Sequence, residues 1–164
     1  MPEQARVLIV MGSDSDMSVM EEAKRMLTEF GIKAQMTIAS AHRTPQKVVN
    51  LVRDAEKAGV KVIIAGAGYA AHLAGAIAAQ TTLPVIGVPL EGSSLEGMDA
   101  LLSTVQMPAG IPVATVAIGK TGAKNAGILA AEIIALADEK ISNALKEYRK
   151  KMAKAVEDKD KAIK

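Results

Sequence analysis

Arg6-Val7-Leu8-Ile9-Val10-Met11, followed at once by Gly12-Ser13-Asp14-Ser15-Asp16, is the stretch on which the fold turns. After Arg6 the run has no polar residue. That reads as a strand buried on both faces, as in parallel sheets covered on two sides by helices. The Gly-Ser-Asp segment breaks the strand. Beyond it Met20, Ala23, Leu27 and Phe30 recur at three- and four-residue spacing, which predicts a helix with one apolar stripe, and Gly31 stops it.

The same unit repeats along the chain. Lys33–Ala39, Val60–Ala65, Leu83–Val88 and Val113–Ile118 predict four further strands. Helices are predicted over Thr44–Ala58, with Pro45 in its first turn, over Ala70–Gln80 and over Ser94–Val105. A single long helix is predicted from Lys124 to about Met152, with Ala126, Leu129, Ala130, Ile133, Ala137, Ile141, Ala144 and Tyr148 in register. Strands alternating with helices imply βαβ units and an α/β fold. The expected architecture is a three-layer α/β/α sandwich on a parallel flavodoxin- or Rossmann-like sheet, with a long C-terminal helix. Residues 1–137 are expected to form the domain. Residues 138–164 are expected to form a helical extension, which either packs on a neighbouring subunit or is a solvated end.

Composition narrows the function. The 164 residues contain no Trp, one Phe and two Tyr, so aromatic platforms for single-stranded nucleic acid are lacking. No Cys is present, which excludes disulfides and thiolate metal sites. The net charge of +2 is carried by the tail, where nine Lys/Arg face six Asp/Glu from Asp138 onward. The body therefore lacks the basic character of a nucleic-acid binder. The amino terminus has no signal-peptide pattern and no run long enough to span a bilayer, so a cytoplasmic, membrane-free protein is expected.

Three strand ends carry the candidate chemistry, since ligands of open α/β sheets bind there. In the first, Ser13 and Asp16 have capping-box spacing, which by itself explains them. The same helix start offers free N–H groups to a phosphate, and Asp16 could accept from the two hydroxyls of a ribose. In the second, Ser40-Ala41-His42-Arg43-Thr44-Pro45, a guanidinium beside an imidazole opposes protonation of the ring unless an anion lies between them. With Arg43 paired to a phosphate and Ser40 adding a hydrogen bond, His42 is free to shuttle a proton. In the third, Gly66–Gly75 is built of Gly, Ala, Leu and His apart from Tyr69. It reads either as a small-residue helix packed on the sheet or as a smooth floor for a planar ligand, with His72 as a contact. Gln106–Pro112, rich in Pro and Gly, reads as a lid or a turn.

Taken together, MGSDSD (11–16), SAHRTP (40–45), GAGYAAHLAG (66–75), LPVIGVP (83–89) and VQMPAGIPVATVAIG (105–119) resemble class I N5-carboxyaminoimidazole ribonucleotide mutase. The resemblance runs from about Val7 to Ala137. It implies a flavodoxin-like fold, a homo-octamer with sites at subunit contacts, and transfer of a carboxylate from the exocyclic nitrogen of an aminoimidazole ribonucleotide to ring carbon C4. It implies no metal, ATP or organic cofactor. By motif position it implies that Ser13 and Arg43 bind the 5′-phosphate with Ser40 nearby, and that Asp16 takes the ribose hydroxyls. His42 would be the acid/base, and His72 and Leu73 would line the imidazole and carboxylate end. The chain departs from the family in having Tyr69 and Ala109 where glycine is usual and Ala74 where proline is usual. Tyr69 either narrows the carbon dioxide pocket or points into a subunit contact. Two alternatives remain at this point. One is a carboxylase using free carbon dioxide, whose class usually lacks the 66–75 pattern. The other is a non-catalytic nucleotide-binding module, although a receiver would need an acid where Ala65-Gly66-Ala67 stands.

Overall fold

A computed structural model describes residues 5–163. The outermost ends of both expected segments, residues 1–4 and Lys164, lie outside them. Five strands, β1 (Val7–Met11), β2 (Ala34–Ile38), β3 (Val62–Ala67), β4 (Val85–Pro89) and β5 (Ala114–Thr115), form one parallel sheet in the order β2-β1-β3-β4-β5. Among the described residues six α-helices accompany them: α1 (Met17–Glu29), α2 (Pro45–Lys57), α3 (Leu73–Ala78), α4 (Met98–Val105), α5 (Gly119–Ala135) and α6 (Glu139–Lys161). This is the flavodoxin-like strand order, in which the direction of strand addition across the sheet reverses between β1 and β3.

The continuous apolar strands are buried as their composition requires. Every residue of β1 and β4 is buried. Under one face Val7, Ile9 and Met11 meet Met20, Ala23 and Leu27 of α1 and Ala126 and Ala130 of α5. Under the other, Leu8 and Val10 meet Val48, Val52 and Ala55 of α2 and Leu73, Ala74 and Ile77 of α3. The α1–α5 contact is close because α5 presents small residues. A Cβ on Gly127 would come within 2.6 Å of the Ala23 carbonyl oxygen.

Four sequence expectations are corrected. The helix expected over Ser94–Val105 starts only at Met98, because Gly97 before it takes a left-handed φ of +86°. Strand five shrinks from Val113–Ile118 to two residues, because only Ala114 and Thr115 pair with β4, and it is an edge strand with no outer partner to extend it. The helix expected over Ala70–Gln80 starts only at Leu73, since Tyr69 to Ala71 form a bend and a loop. The single helix expected from Lys124 to Met152 is two helices, α5 and α6. Asp138 breaks it. Its side chain accepts from the N–H of Ile141 as the cap of α6, and its Oδ2 accepts from Arg6 Nη1 at 2.6 Å. The apolar register survives the break because Ile141 and Leu145 still reach the core, with Tyr148 edge-on to Phe30 at 5.4 Å. Beyond Arg149 every described residue of α6 is exposed. No helix among the described residues is long and apolar enough to cross a membrane.

Candidate active site

The register levels the carboxyl ends of the strands: Met11 pairs with Ile38 and with Gly66, and Ala67 with Pro89. The loops that follow β1, β2, β3 and β4 therefore open side by side. They enclose a cleft of about 650 Å³ at the β1/β3 reversal. Ser13, Asp16, Ser40, His42, Arg43, His72 and Leu73, which come from three separate sequence segments, all line it.

The first loop is fixed by the hydrogen bonds its spacing predicts. Ser13 Oγ accepts from the N–H of Ser15, and Asp16 Oδ2 accepts from the N–H of Ser13 at 3.1 Å. The capping box and the cleft wall are thus the same residues. Partial burial pushes the Asp16 carboxyl above its ordinary value, opposed by the Ser13 N–H bond and by the Arg43 charge. The neighbouring Asp14 is held below its ordinary value, first by the Ser13 hydroxyl and then by backbone N–H groups.

The second loop is closed on itself. Thr44 Oγ1 accepts from the N–H of Ser40 at 2.9 Å and donates to the Ser40 carbonyl at 3.1 Å. Ser40 Oγ in turn accepts from the N–H of Arg43 at 3.2 Å. Arg43 then reaches across to the first loop, where Nη2 donates to the Gly12 carbonyl at 2.9 Å. Its Nε also lies 3.5 Å from Ser40 Oγ, so both acceptors of the Arg43 side chain are uncharged.

The third loop brings the second imidazole. His42 Nε2 and His72 Nδ1 are 2.8 Å apart, with the rings edge to face at 81°. A contact of that length between two ring nitrogens holds one proton, given by one ring and accepted by the other. The backbone before His72 is pinned from α4, where Ser103 Oγ accepts from the N–H of Ala71 at 2.9 Å and donates to the Asp99 carbonyl. Leu73 is only 2% exposed and belongs to the core, so it contributes a packed wall rather than a mobile contact.

Sequence reading missed Glu91, which lines the cleft just beyond β4 together with Gly92. Its place after the apolar run Val85–Leu90 was the available signal. The 106–112 loop lies away from the cleft lining. Met107 packs towards α3 at Gly75, and Ile111 joins the α2–α3 side of the core, so it is a structural turn in the protomer.

An open parallel sheet with a basic residue, a buried-edge carboxylate and a hydrogen-bonded imidazole pair at its topological switch defines an α/β protein of nucleotide chemistry, equipped for proton transfer. The AIR carboxylase family pattern matches residues 6–155, and the chain belongs to that family. It is 53% identical over 161 residues to the N5-carboxyaminoimidazole ribonucleotide mutase of Pyrococcus horikoshii, covering 98% of this chain and 90% of that protein. It is 55% identical over 151 residues to the enzyme of the same name from Thermotoga maritima, covering 92% and 87%. Among solved structures it superposes on Treponema denticola PurE with a TM-score of 0.88 and 34% identity, covering 96% of this chain and 98% of that one.

Proposed function

We propose that this chain is an N5-carboxyaminoimidazole ribonucleotide mutase, an isomerase of de novo purine biosynthesis that forms 4-carboxy-5-aminoimidazole ribonucleotide. The observation that carries the reading is the His42–His72 contact at 2.8 Å in the cleft that Arg43 borders. Its family membership and its mutase relatives support the same reading.

The residues divide the substrate between them. Arg43, Ser13 and Ser40 take the 5′-phosphate, with a guanidinium fork and hydroxyl donors suited to a dianion. Asp16, as an acceptor-only carboxylate, takes the ribose hydroxyls. His72 and Leu73 border the heterocycle. Chemistry then needs one proton, moved twice. The carbamate C–N bond breaks, its electron pair stays on nitrogen, and His42 delivers a proton there as carbon dioxide leaves. C4 bonds to the carbon of carbon dioxide, whose π pair moves to oxygen as the new carboxylate. His42 removes the C4 proton and the ring regains aromaticity. Substrate and product are isomers, and His42 ends as it began. A small apolar wall from the Ala/Gly-rich β3–α3 loop keeps water from the freed carbon dioxide.

The direct test supplies either the N-carboxylated nucleotide or aminoimidazole ribonucleotide with bicarbonate, and follows the C4 acid. Efficient turnover of only the second would replace the mutase reading with a carboxylase. Nucleotide binding without turnover of either would leave a binding module. The assembly is taken to be a homo-octamer in the cytoplasm. Leu136, 89% exposed, and the uncovered end of α6 support burial between copies. Sedimentation at assay concentration measures the assembly.

A further inference from the structure

Tyr69 stands out among the residues that line the cleft. Its φ is +54°, in the left-handed region that glycine occupies freely and a bulky side chain does not. Such a conformation is strained and persists where the surrounding structure enforces it, most often at ligand clamps and reaction sites. A strained tyrosine that is 63% exposed as a residue is not held in place by core packing. Its ring lies instead against a second loop. A methyl group placed on Gly92 would sit 3.5 Å from Tyr69 Cε2, and Gly92 follows β4 whereas Tyr69 follows β3. Both residues line the cleft with His42 and His72. The ring therefore reaches from one loop toward the other at the same cleft as the imidazole pair, and the left-handed backbone is what aims it there.

We propose that Tyr69 is a specificity-determining residue that closes this part of the cleft, holding carbon dioxide between its release from nitrogen and its capture by C4. This rests on the mutase reading. Two fates compete after the carbamate C–N bond breaks and nitrogen takes its proton. Either C4 bonds to the carbon dioxide, or the carbon dioxide escapes and leaves aminoimidazole ribonucleotide. The ring, not the hydroxyl, does the closing, because exclusion needs area rather than a hydrogen bond.

The experiment is a partition measurement on the full-length assembled enzyme. Unlabelled N-carboxylated nucleotide is turned over in 13C-bicarbonate, with two readouts: the ratio of aminoimidazole ribonucleotide to C4 acid, and the label in the C4 acid. Tyr69→Gly is expected to raise both by about tenfold, equivalent to an escape barrier lowered by roughly 1.4 kcal/mol. Tyr69→Phe, which keeps the ring, is expected to keep the wild-type ratio. Tyr69→Gly relieves backbone strain, so its melting temperature should not fall and misfolding cannot imitate the result. An unchanged ratio in Tyr69→Gly overturns the proposal. So does a changed sedimentation coefficient with an unchanged ratio, which would make the ring an interface residue. If the wild type fails to convert the N-carboxylated nucleotide at all, the mutase reading itself falls, and that outcome is separate from either.

Discussion

Replacing Arg43 with methionine separates a ligand contact from a structural tie. Arg43 donates to the Gly12 carbonyl at 2.9 Å, and its Nε lies 3.5 Å from Ser40 Oγ. Both bonds are exposed, so water replaces the lost donor, and Ser40 Oγ keeps its bond to the backbone N–H of residue 43. Folding stability should change by less than about 1 kcal/mol, roughly 2–4 °C in melting temperature for a chain of this size. Binding should change far more. A charge-assisted guanidinium–phosphate contact is worth about 1.5–3 kcal/mol. That corresponds to roughly 10–150-fold in KM for the nucleotide at 1.4 kcal/mol per factor of ten. Arg43→Lys keeps the charge, loses the planar fork and should fall between. The assay is steady-state turnover of the N-carboxylated nucleotide, with ribose 5-phosphate as competitor. The competitor carries the phosphate without the heterocycle, so its inhibition constant should rise by the same factor as KM. An Arg43→Met enzyme with KM within about twofold of wild type but a melting temperature lowered by more than about 4 °C would refute the assignment and leave Arg43 as a brace between two loops.

Three more outcomes are expected. His42→Asn should lower turnover by at least about a hundredfold, the usual range for losing a general acid/base, while calorimetry still detects the nucleotide; wild-type turnover would remove His42 from the mechanism. Burial raises Asp16, so its carboxylate protonates at a higher pH than an ordinary aspartate and ribose binding weakens from there downward. Asp16's own effect on folding has the opposite sign: a raised native value means its contribution to stability is greatest at low pH and is lost as pH rises through that value. Asp16→Asn should therefore flatten the acid limb of the affinity–pH profile, and an unaltered limb would rule Asp16 out as its source. Gly127→Val should cost about 2 kcal/mol or more, lowering the melting temperature by roughly 4–8 °C, because its side chain meets the Ala23 carbonyl; thermal scanning measures this, and an unchanged melting point would mean the α1–α5 contact yields easily.

The sheet was legible because its strands are buried on both faces. A run such as Val7–Met11 has no other soluble explanation once a glycine turn and an apolar-striped helix follow it. Edges were less legible. Ala114 and Thr115 pair on one side only, so sequence apolarity over 113–118 overstated the strand. The α5–α6 break was hidden because the apolar register continues through it. What ends α5 is the capping and ion pairing of Asp138, and Arg6, its partner, lies 132 residues away in sequence. In the cleft, Gly12–Asp16, Ser40–Thr44 and Gly66–His72 could be read because each is a short polar or small-residue interruption after an apolar run. The His42–His72 contact could not, since 30 residues and a parallel crossover separate the rings and only the strand register makes them meet. Glu91 escaped notice as one acidic residue in a polar loop. Tyr69 was visible as a departure, but its left-handed backbone is a property of the folded loop alone.

The Arg6–Asp138 pair has a practical consequence. Arg6 stands just ahead of β1, so this clasp fastens the start of α6 near the amino edge of the sheet, whereas the cleft opens at the carboxyl edge. The start of the chain's last helix is thus moored at the sheet edge opposite the chemistry. A label placed at the start of α6, beside this clasp, would therefore sit at the sheet edge opposite the cleft of its own chain and report on the protein without crowding that cleft.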